Sequence, residues 1–254
     1  MPLTEYRLVA DLIHGAAILL LFYQIIKNRS CHSVSGITVM LYAITFTCRY
    51  LDLYPFYSYQ FEGVSAYNTI FKIYYLVSHY LILILIYGVF RHTRDKLINT
   101  LPIFAYLILA HILAWITCFL ENIGQFDKEF FWRFSIFLEM LAIIPQMNLT
   151  YKQGTVNTTI LFYMSMLGTY RALYIANWIY RYYNENILEP IAFFGGCMQT
   201  MIYLYFFFHV YPRLKNMKSS QEVEIKKEKL SNVDTKEVIN EKTGKDVPLI
   251  HDIV

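Results

Sequence analysis

Five of the charged residues that lie inside or at the edges of apolar stretches long enough to cross a bilayer are candidates for a functional site. They are Arg49, Asp52, Glu139, Arg171 and Arg181. A charged side chain at the centre of a membrane helix costs about 2.5 to 3.5 kcal/mol on insertion scales, so such residues usually face a polar cavity and a partner. Guanidinium groups bind carboxylates through paired hydrogen bonds and keep their charge at every physiological pH. Arginines that converge on one cavity therefore predict an anionic ligand.

The polar residues recur at helical spacing. Arg7, Asp11 and His14 are four and then three positions apart, so they share one face of the first predicted helix. Arg49 and Asp52 lie near the end of the second. One stripe of the sixth helix carries Tyr170, Tyr174, Asn177 and Arg181, with Arg171 and Trp178 beside it. A single buried arginine is commonly structural, but three helices that each present arginine with polar partners favour a shared site.

Acidic residues lie near the same predicted rim. Asp52 and Glu129 are positioned to receive a positive group on the ligand that the arginines bind. The ligand should therefore carry both signs of charge and be mostly negative.

The composition is that of an integral membrane protein. Of the 254 residues, 56% are hydrophobic and 18% aromatic, and the mean hydropathy is +0.36. A net charge of +3, with basic residues spread over short loops, argues against a nucleic-acid partner. The four cysteines have no CxxC spacing, so we expect no metal site, no disulfide framework and no cofactor. We expect no cleavable signal peptide, so the first helix should direct insertion.

The chain contains seven apolar segments, each long enough to span about 30 Å of hydrocarbon. They lie at 7–26, 36–54, 68–90, 98–119, 130–150, 158–181 and 188–211. Basic residues follow the first, third, fifth and seventh segments, whereas the opposite loops are mainly acidic. The positive-inside rule therefore predicts a lumenal N-terminus and a cytosolic C-terminus. Residues 213–254 are rich in Lys, Glu, Asp, Ser and Asn and are predicted to form a disordered cytosolic tail.

The second and sixth segments share the pattern T-x-R-x-L, at Arg49 and Arg171. Each of these arginines follows a glutamine, Gln24 or Gln146, by 25 positions. This register predicts an all-α membrane fold of two parallel three-helix repeats joined by a linking fourth helix.

Several longer motifs together resemble the KDEL receptor family, which returns escaped endoplasmic reticulum (ER) residents from the Golgi. The motifs are Arg7-x-x-x-Asp11-x-x-His14, Arg29-Ser-Cys31, Phe46-Thr-Cys-Arg49-Tyr-Leu-Asp52-Leu, Trp132-x-Phe-Ser-Ile-Phe-Leu-Glu139-x-x-Ala-Ile-Ile-Pro145-Gln146 and Tyr170-Arg171-x-Leu-Tyr174-x-x-Asn177-Trp178-Ile-x-Arg181-Tyr. The resemblance covers about residues 5–212. It implies a seven-helix fold similar to SWEET transporters that binds the C-terminal Lys/His-Asp-Glu-Leu signal of soluble ER-resident cargo.

The resemblance also implies ligand contacts at matching positions. Arg49 and Tyr50 would receive the terminal carboxylate, and Arg7 and Arg181 would hold the acidic side chains. We expect these three guanidinium groups to be buried without neutralisation until the ligand supplies three negative groups. The other predicted ligand-binding residues, some of which would meet the basic head residue of the signal, are Asp52, Glu129, Trp132, Tyr174, Asn177 and Trp178.

A proton switch is implied at a second set of positions. His14, close to Tyr170, would sense protons, and the pair Glu139 and Arg171 would rearrange on activation. One proton changes affinity by at most tenfold per pH unit, so a steeper response requires a second titrating group. Glu139 is the candidate, with a permanent salt bridge to Arg171 as the alternative.

Some positions depart from the family pattern. Tyr205 replaces an aspartate that the family uses for retrograde transport after cargo binding, and the long loop at 54–66 predicts an altered rim. Family members expose a lysine-rich tail to the COPI coat. The nearest equivalent is formed by Lys226, Lys227 and Lys229, which are interspersed with Glu and are also compatible with a plain solvated tail.

Two other functional classes are alternatives to a receptor. A SWEET or PQ-loop small-solute transporter would share the fold and the Pro145-Gln146 dipeptide. The charge-rich pocket and its bulky aromatics instead favour a blind binding site. An enzyme is not expected, because the sequence lacks HExxH, GxSxG, paired-Asp and metal-ligand motifs.

Overall fold

The computed structural model describes residues 3–53, 64–95, 102–122, 128–217 and 219. Within these ranges the chain forms helices and helical turns and no β-strand. The α-helices are α1 (Glu5–Asn28), α2 (Gly36–Arg49), α3 (Val64–Ile84), α4 (Ile103–Leu120), α5 (Lys128–Ala142), α6 (Ile144–Gln153), α7 (Thr158–Glu185) and α8 (Pro190–Tyr205). Short 3-10 turns lie at Leu51–Leu53 and Arg91–Thr93, and π-helical turns at Leu85–Val89 and Phe206–Val210.

Five stretches of the described chain are long and apolar enough to cross a membrane. They are Glu5–Asn28, Ala66–Val89, Ile103–Leu120, Lys128–Gln153 and Pro190–Met217. The helix α2 is apolar but shorter, and α7 is about 42 Å long at 1.5 Å per residue but carries buried arginines. The chain is therefore a multi-pass helical membrane protein, and each predicted segment coincides with at least one helix.

The fifth predicted segment differs from a single straight helix. It is divided into α5 and α6 by a turn at Ile143. Pro145 lies in the first turn of α6 and has no backbone N–H to donate to the preceding turn, which explains the break. The helix α6 then ends at Gly154, whose φ of 65° is in the left-handed region that glycine adopts without strain.

Side-chain caps fix where the helices that carry the polar residues begin. The Thr4 side chain accepts a hydrogen bond from the Arg7 backbone N–H at 3.2 Å, and Ser35 accepts one from Thr38 at 3.2 Å. These contacts satisfy donors that the first turn of a helix leaves unpaired. The cap at Thr4 sets the register of α1, and the register places Arg7, Asp11 and His14 on one face.

The helix packing places one end of the bundle around a shared space. The helix α1 packs against α7, α2 against α5, α3 against α2, and α8 against α7 and α5, while α4 packs on the outside of α5. Large aromatic side chains such as Tyr42, Phe46, Tyr170 and Tyr203 are fully buried between them. The starts of α1, α3, α5 and α8 and the ends of α2 and α7 meet at one end of the bundle. We name it the cavity end, and the other the opposite end.

Some predictions fall on residues that are not described. The cluster Lys226, Lys227 and Lys229, most of the predicted tail and most of the loop at 54–66 lie outside the described residues. The last helical stretch runs to Met217, so the first residues of the predicted tail are helical.

Candidate functional site

A cavity of about 430 Å³ opens at the cavity end of the bundle. Six helices and the turn after α2 contribute its lining. The lining residues are Arg7, His14, Phe46, Arg49, Tyr50, Asp52, Asn68, Lys72, Tyr75, Trp132, Ile136, Glu139, Tyr170, Arg171, Tyr174, Asn177, Trp178, Glu189 and Ala192. Residues that are far apart in the sequence thus converge on a single charged and aromatic pocket.

Most of the residues singled out in the sequence come together here. The lining includes all four predicted switch residues and eight of the ten predicted ligand-binding residues. Arg181 and Glu129 are not part of the described lining. Arg181 is 4% exposed and its Nε donates to Glu185 at 2.9 Å, and Glu129 is bound by Arg133 on α5.

Glu139 is the centre of the ionic contacts in the cavity. It is 3% exposed, its Oε2 lies 2.5 Å from Nη1 of Arg49, and its Oε1 is ion-paired with Arg171. The Tyr170 hydroxyl donates to the same Oε1 at 2.7 Å. Arg49 is further held by the Ser135 hydroxyl, which its Nε reaches at 3.0 Å.

A second ionic cluster lies on α1. The Nε of Arg7 lies 3.7 Å from Oδ2 of Asp11, and its Nη2 donates to Asn68 at 2.5 Å. Asp11 also accepts hydrogen bonds from the hydroxyls of Tyr67, at 2.8 Å, and Tyr174. The charge of Arg7 is thus balanced from within its own helix, by a carboxylate four residues away.

The expectation of unneutralised arginines is therefore wrong for this structure. Arg7 pairs with Asp11, Arg49 with Glu139, and Arg181 with Glu185. Burial of a guanidinium ion is costly, and a nearby carboxylate offsets part of that cost. An anionic ligand would therefore have to share or exchange these internal partners.

Three guanidinium groups nevertheless have a side-chain N–H without a partner. Nη1 of Arg7, Nη2 of Arg49 and Nε of Arg171 are buried and have no hydrogen-bond partner among the described residues. Buried donors without a partner are uncommon, because each forfeits the hydrogen bond it made to water. All three arginines belong to the lining of the cavity.

His14 lies in a stack of aromatic rings beside the ionic centre. Its ring is 4.1 Å from that of Tyr170, at an angle of 5°, and 4.5 Å from that of Tyr75, at 26°. Tyr170 connects this stack to Glu139 through its hydroxyl. The Tyr170 side chain thus contacts both the His14 ring and the carboxylate that holds Arg49.

Sequence reasoning missed three residues of α3. Asn68, Lys72 and Tyr75 line the cavity, and Lys72 is ion-paired with Asp52. Their spacing of four and then three positions is the same as that of the polar stripe on α1, so the pattern could have identified them. Lys72 is an isolated charge inside the apolar segment at 68–90, so the criterion that selects Arg49 and Arg171 also applies to it.

The fold and the site together define a multi-pass helical membrane protein with a charged pocket at one end. A family model described as ER lumen protein retaining receptor matches residues 30–181. The chain is 39% identical over 203 residues to ER lumen protein-retaining receptor 3 of Xenopus tropicalis, covering 80% of this chain and 90% of that protein. It is 39% identical over 216 residues to receptor 2 of Gallus gallus, covering 85% and 97%, and 39% identical over 203 residues to receptor 2 of Homo sapiens, covering 80% and 91%.

The chain belongs to the ER lumen protein-retaining receptor family. The resemblance drawn from the motifs is thereby confirmed. The relatives are named as receptors, which fits a non-enzyme and does not favour the transporter alternative.

Proposed function

We propose that the protein binds the C-terminal K/HDEL-type signal of escaped ER-resident proteins in the Golgi under mildly acidic conditions and returns them to the ER in COPI carriers. The observation that carries the proposal is that two of the three unpartnered guanidinium donors, Arg7 Nη1 and Arg49 Nη2, belong to arginines that line one cavity of about 430 Å³. A peptide C-terminus with two acidic side chains supplies carboxylates to such donors.

The terminal carboxylate is assigned to Arg49. Its Nη2 is unpartnered, Tyr50 lies beside it in the lining, and its Nη1 is held by Glu139. A carboxylate that binds Arg49 with two hydrogen bonds would draw Nη1 away from Glu139, which Arg171 would still hold. Ligand binding and rearrangement of the Glu139 cluster are thus parts of one exchange of ion pairs.

The acidic side chains of the signal are assigned to Arg7 and Arg181. Arg7 lines the cavity, and its Nη1 is buried without a hydrogen-bond partner among the described residues. Arg181 lies one helical turn beyond Asn177, which does line the cavity, and its Nε is held by Glu185. A ligand carboxylate would have to displace Glu185, so this contact forms only if the end of α7 adjusts.

Proton sensing is assigned to His14. Protonation places a positive charge in the ring stack next to Tyr170 and Glu139, close to the site of an anionic ligand. Binding that requires the protonated form is strong in acid and weakens as the pH rises. With one proton the change is at most tenfold per pH unit. If Glu139 is the second titrating group, Glu139→Gln will reduce a steeper slope to this limit, whereas an unchanged slope removes Glu139 from the mechanism.

Several features support the proposed architecture of two three-helix repeats in seven spans. In this architecture α5 with α6 corresponds to α1, α7 to α2 and α8 to α3. The contact between α1 and α7 then corresponds to the contact between α5 and α2, and the contact between α2 and α3 corresponds to the contact between α7 and α8. Arg49 and Arg171, the arginines of the repeated pattern, both contact Glu139. The positive-inside rule supports a lumenal cavity end, where secretory cargo would enter.

The chain departs from the family pattern at the positions that the proposed transport after binding requires. The lysines at 226, 227 and 229 are the proposed coat signal. Tyr205, at the position of the aspartate in the family pattern, is 60% exposed and its ring stacks on His209 at 5.2 Å. A neutral tyrosine cannot replace a carboxylate electrostatically, so cargo binding and retrograde transport are separable functions to be measured independently.

The proposal is tested by titrating the purified protein in detergent with a Lys-Asp-Glu-Leu peptide and its C-terminally amidated twin, at mildly acidic and at neutral pH. We expect the free-acid peptide to bind more tightly than its amidated twin, and we expect this binding only at mildly acidic pH. Equally weak binding of both peptides at each pH would overturn the proposal. Arg49→Gln should remove the preference for the free acid, whereas Arg91→Gln, at an exposed position of the opposite end, should not.

A further inference from the structure

The aromatic cluster that contains His14 holds a second histidine. His79 of α3 is 3% exposed and His14 is 4% exposed, so neither is a solvated surface group. The described lining of the cavity includes His14 but not His79, which lies one helical turn beyond the lining residue Tyr75. The proposed proton switch uses His14 and leaves His79 without a role.

The two histidines share two neighbours. The Phe46 ring lies 5.8 Å from that of His14 and 4.9 Å from that of His79. The Tyr75 ring stacks on the His14 ring at 4.5 Å, and the Tyr75 backbone carbonyl lies 2.7 Å from Nδ1 of His79. A single ring, that of Phe46, thus contacts both imidazoles, and the charge of one histidine acts on the other.

The contact with Tyr75 assigns the proton of the neutral His79 ring. A carbonyl oxygen only accepts hydrogen bonds, so Nδ1 of His79 donates and carries a proton. A further proton would therefore go to Nε2, and the imidazolium ion would keep its hydrogen bond to the Tyr75 carbonyl, now assisted by charge. Proton uptake by His79 thus breaks no hydrogen bond of α3.

Titratable groups of five helices surround the two histidines. They are Asp11 on α1, Tyr42, Arg49 and Tyr50 on α2, Tyr75 on α3, Glu139 on α5, and Tyr170 and Arg171 on α7. Glu139 interacts electrostatically with both histidines, and Arg49 and Arg171 neutralise it through their ion pairs. Because an imidazolium ion is stabilised by a nearby negative charge, the protonation of both histidines depends on how completely the arginines neutralise Glu139.

Ligand binding changes this neutralisation. In the proposed function a peptide carboxylate draws Nη1 of Arg49 away from Glu139, so the Glu139 carboxylate loses one of its two arginines. Its negative charge then acts on both histidines with less compensation, and the peptide adds negative groups of its own. Peptide binding therefore favours uptake of a proton at His79 as well as at His14, and by linkage the protons favour binding of the peptide.

We infer that His79 is a second proton-binding residue of the switch, and that peptide binding is accompanied by uptake of more than one proton. This inference rests on the proposed function. Two coupled histidines titrate as a pair, so the affinity can change by more than tenfold per pH unit, up to about a hundredfold. Glu139 is then the carboxylate that stabilises both protons, and the second titrating group is a histidine.

The test counts the protons that accompany binding. Free-acid Lys-Asp-Glu-Leu peptide is titrated into the full-length protein in detergent by isothermal calorimetry, at several pH values between mildly acidic and neutral. At each pH, two buffers of different ionisation enthalpy give the number of protons taken up per peptide bound. We expect a maximum above one proton for the wild type and of one or fewer for His79→Asn. The Asn amide can still donate to the Tyr75 carbonyl but takes up no proton, so a merely structural role of His79 would leave the count unchanged.

His111→Asn is the matched control. His111 is an exposed histidine of α4 whose ring packs against that of Phe130 at 5.2 Å, so it shares the aromatic surroundings of His79 but lies on the outer helix. This variant should keep the wild-type count. The dependence of peptide affinity on pH provides a second measurement, because it should exceed tenfold per pH unit in the wild type and fall to about tenfold or less in His79→Asn.

The outcomes separate this inference from the proposed function. A maximum of one proton or fewer in the wild type, or of more than one in His79→Asn, overturns the inference while the receptor function stands. If the free-acid peptide binds no more tightly than its amidated twin, the proposed function fails and the inference fails with it. A retained preference for the free acid verifies that His79→Asn is folded. If that preference is lost, His79→Gln, whose side chain is larger, takes its place in the same comparison.

Discussion

The two ends of the bundle solve the same problem, burial of polar groups between membrane helices, in opposite ways. The cavity end uses full charges: Glu139 holds Arg49 and Arg171, and Asp11 holds Arg7. The opposite end relies largely on neutral groups. Gln146 of α6, 1% exposed, accepts a hydrogen bond from the Ser35 backbone N–H at 2.8 Å and donates to the Ser33 carbonyl at 2.9 Å.

The Asp95 carboxylate also lies at the opposite end, and both of its oxygens have polar partners. Asp95 accepts hydrogen bonds from the Ser33 backbone N–H and the Gln153 amide, each at 2.7 Å, and its other oxygen lies 2.9 Å from Nδ1 of His32. These contacts join the loop after α1, the end of α3 and the end of α6. The opposite end is therefore closed by hydrogen bonds that have fixed partners.

The difference shows which end can exchange partners. A charge pair beside unpartnered donors, such as Arg49 Nη2, can accept a new anion at small cost, because the charges are already desolvated and positioned. A neutral amide that already hydrogen-bonds two backbone groups would lose these bonds if it turned to bind a ligand. Under the proposed function, the cavity end is therefore the end that changes its contacts, and the opposite end keeps them.

The largest effect is expected from Glu139→Gln. Loss of this charge leaves the partly exposed Arg49 and the buried Arg171 without their shared carboxylate, which should lower the stability by about 3 kcal/mol. Thermal unfolding in detergent measures this as a large drop in melting temperature. Glu121→Gln removes an exposed acid from the buried Arg133, which keeps Glu129 and the Thr117 carbonyl as acceptors, and should leave the melting temperature nearly unchanged. Equal effects of the two substitutions would show that the Glu139 cluster is not the ionic centre of the fold.

Gly196→Ala should disturb the cavity end through packing alone. A Cβ at this position would lie 2.6 Å from Cζ3 of Trp178, which lines the cavity. We expect a loss of about 1 to 3 kcal/mol in stability and weaker peptide binding as the indole is pushed into the pocket. Gly88→Ala is the control, because the nearest atom there is 3.9 Å away. Unchanged peptide affinity in Gly196→Ala would argue that Trp178 does not shape the site.

Gln146→Leu should separate stability from binding. It leaves the Ser35 N–H and the Ser33 carbonyl without partners, at a cost of about 2 kcal/mol, while the affinity for peptide stays the same. The matched control is Gln24→Leu at the corresponding repeat position. The Gln24 side-chain oxygen is buried without a hydrogen-bond partner among the described residues, so its replacement should cost less. A drop in peptide affinity in Gln146→Leu would mean that the two ends are coupled.

The smallest effect is expected from His32→Ala. The His32 side chain is 67% exposed, so its contact with Asp95 should contribute less than about 1 kcal/mol. Denaturation near neutral pH measures the loss. Asp95→Asn should cost more, because the carboxylate joins three chain segments. A larger loss in His32→Ala than in Asp95→Asn would contradict the view of Asp95 as the organising residue.

Ion pairs of two kinds explain what could and could not be predicted. Arg181 with Glu185 and Arg133 with Glu129 are four residues apart on one helix, so their pairing was readable from the sequence and was overlooked. The pair of Arg49 and Glu139 joins residues 90 positions apart. Spacing along one helix carries no information about such a contact, because it depends on how α2 packs against α5.

The sequence by itself determined the membrane class, the helical segments and the faces on which the polar residues lie. Apolar runs must be helical in lipid to satisfy their backbone, and helical periodicity then fixes which side chains share a face. Only the tertiary structure decided which charges neutralise one another and which donors, such as Arg7 Nη1, remain for a ligand. The reason is that electrostatic energy depends on separation in space after packing, and local spacing does not set that separation between helices.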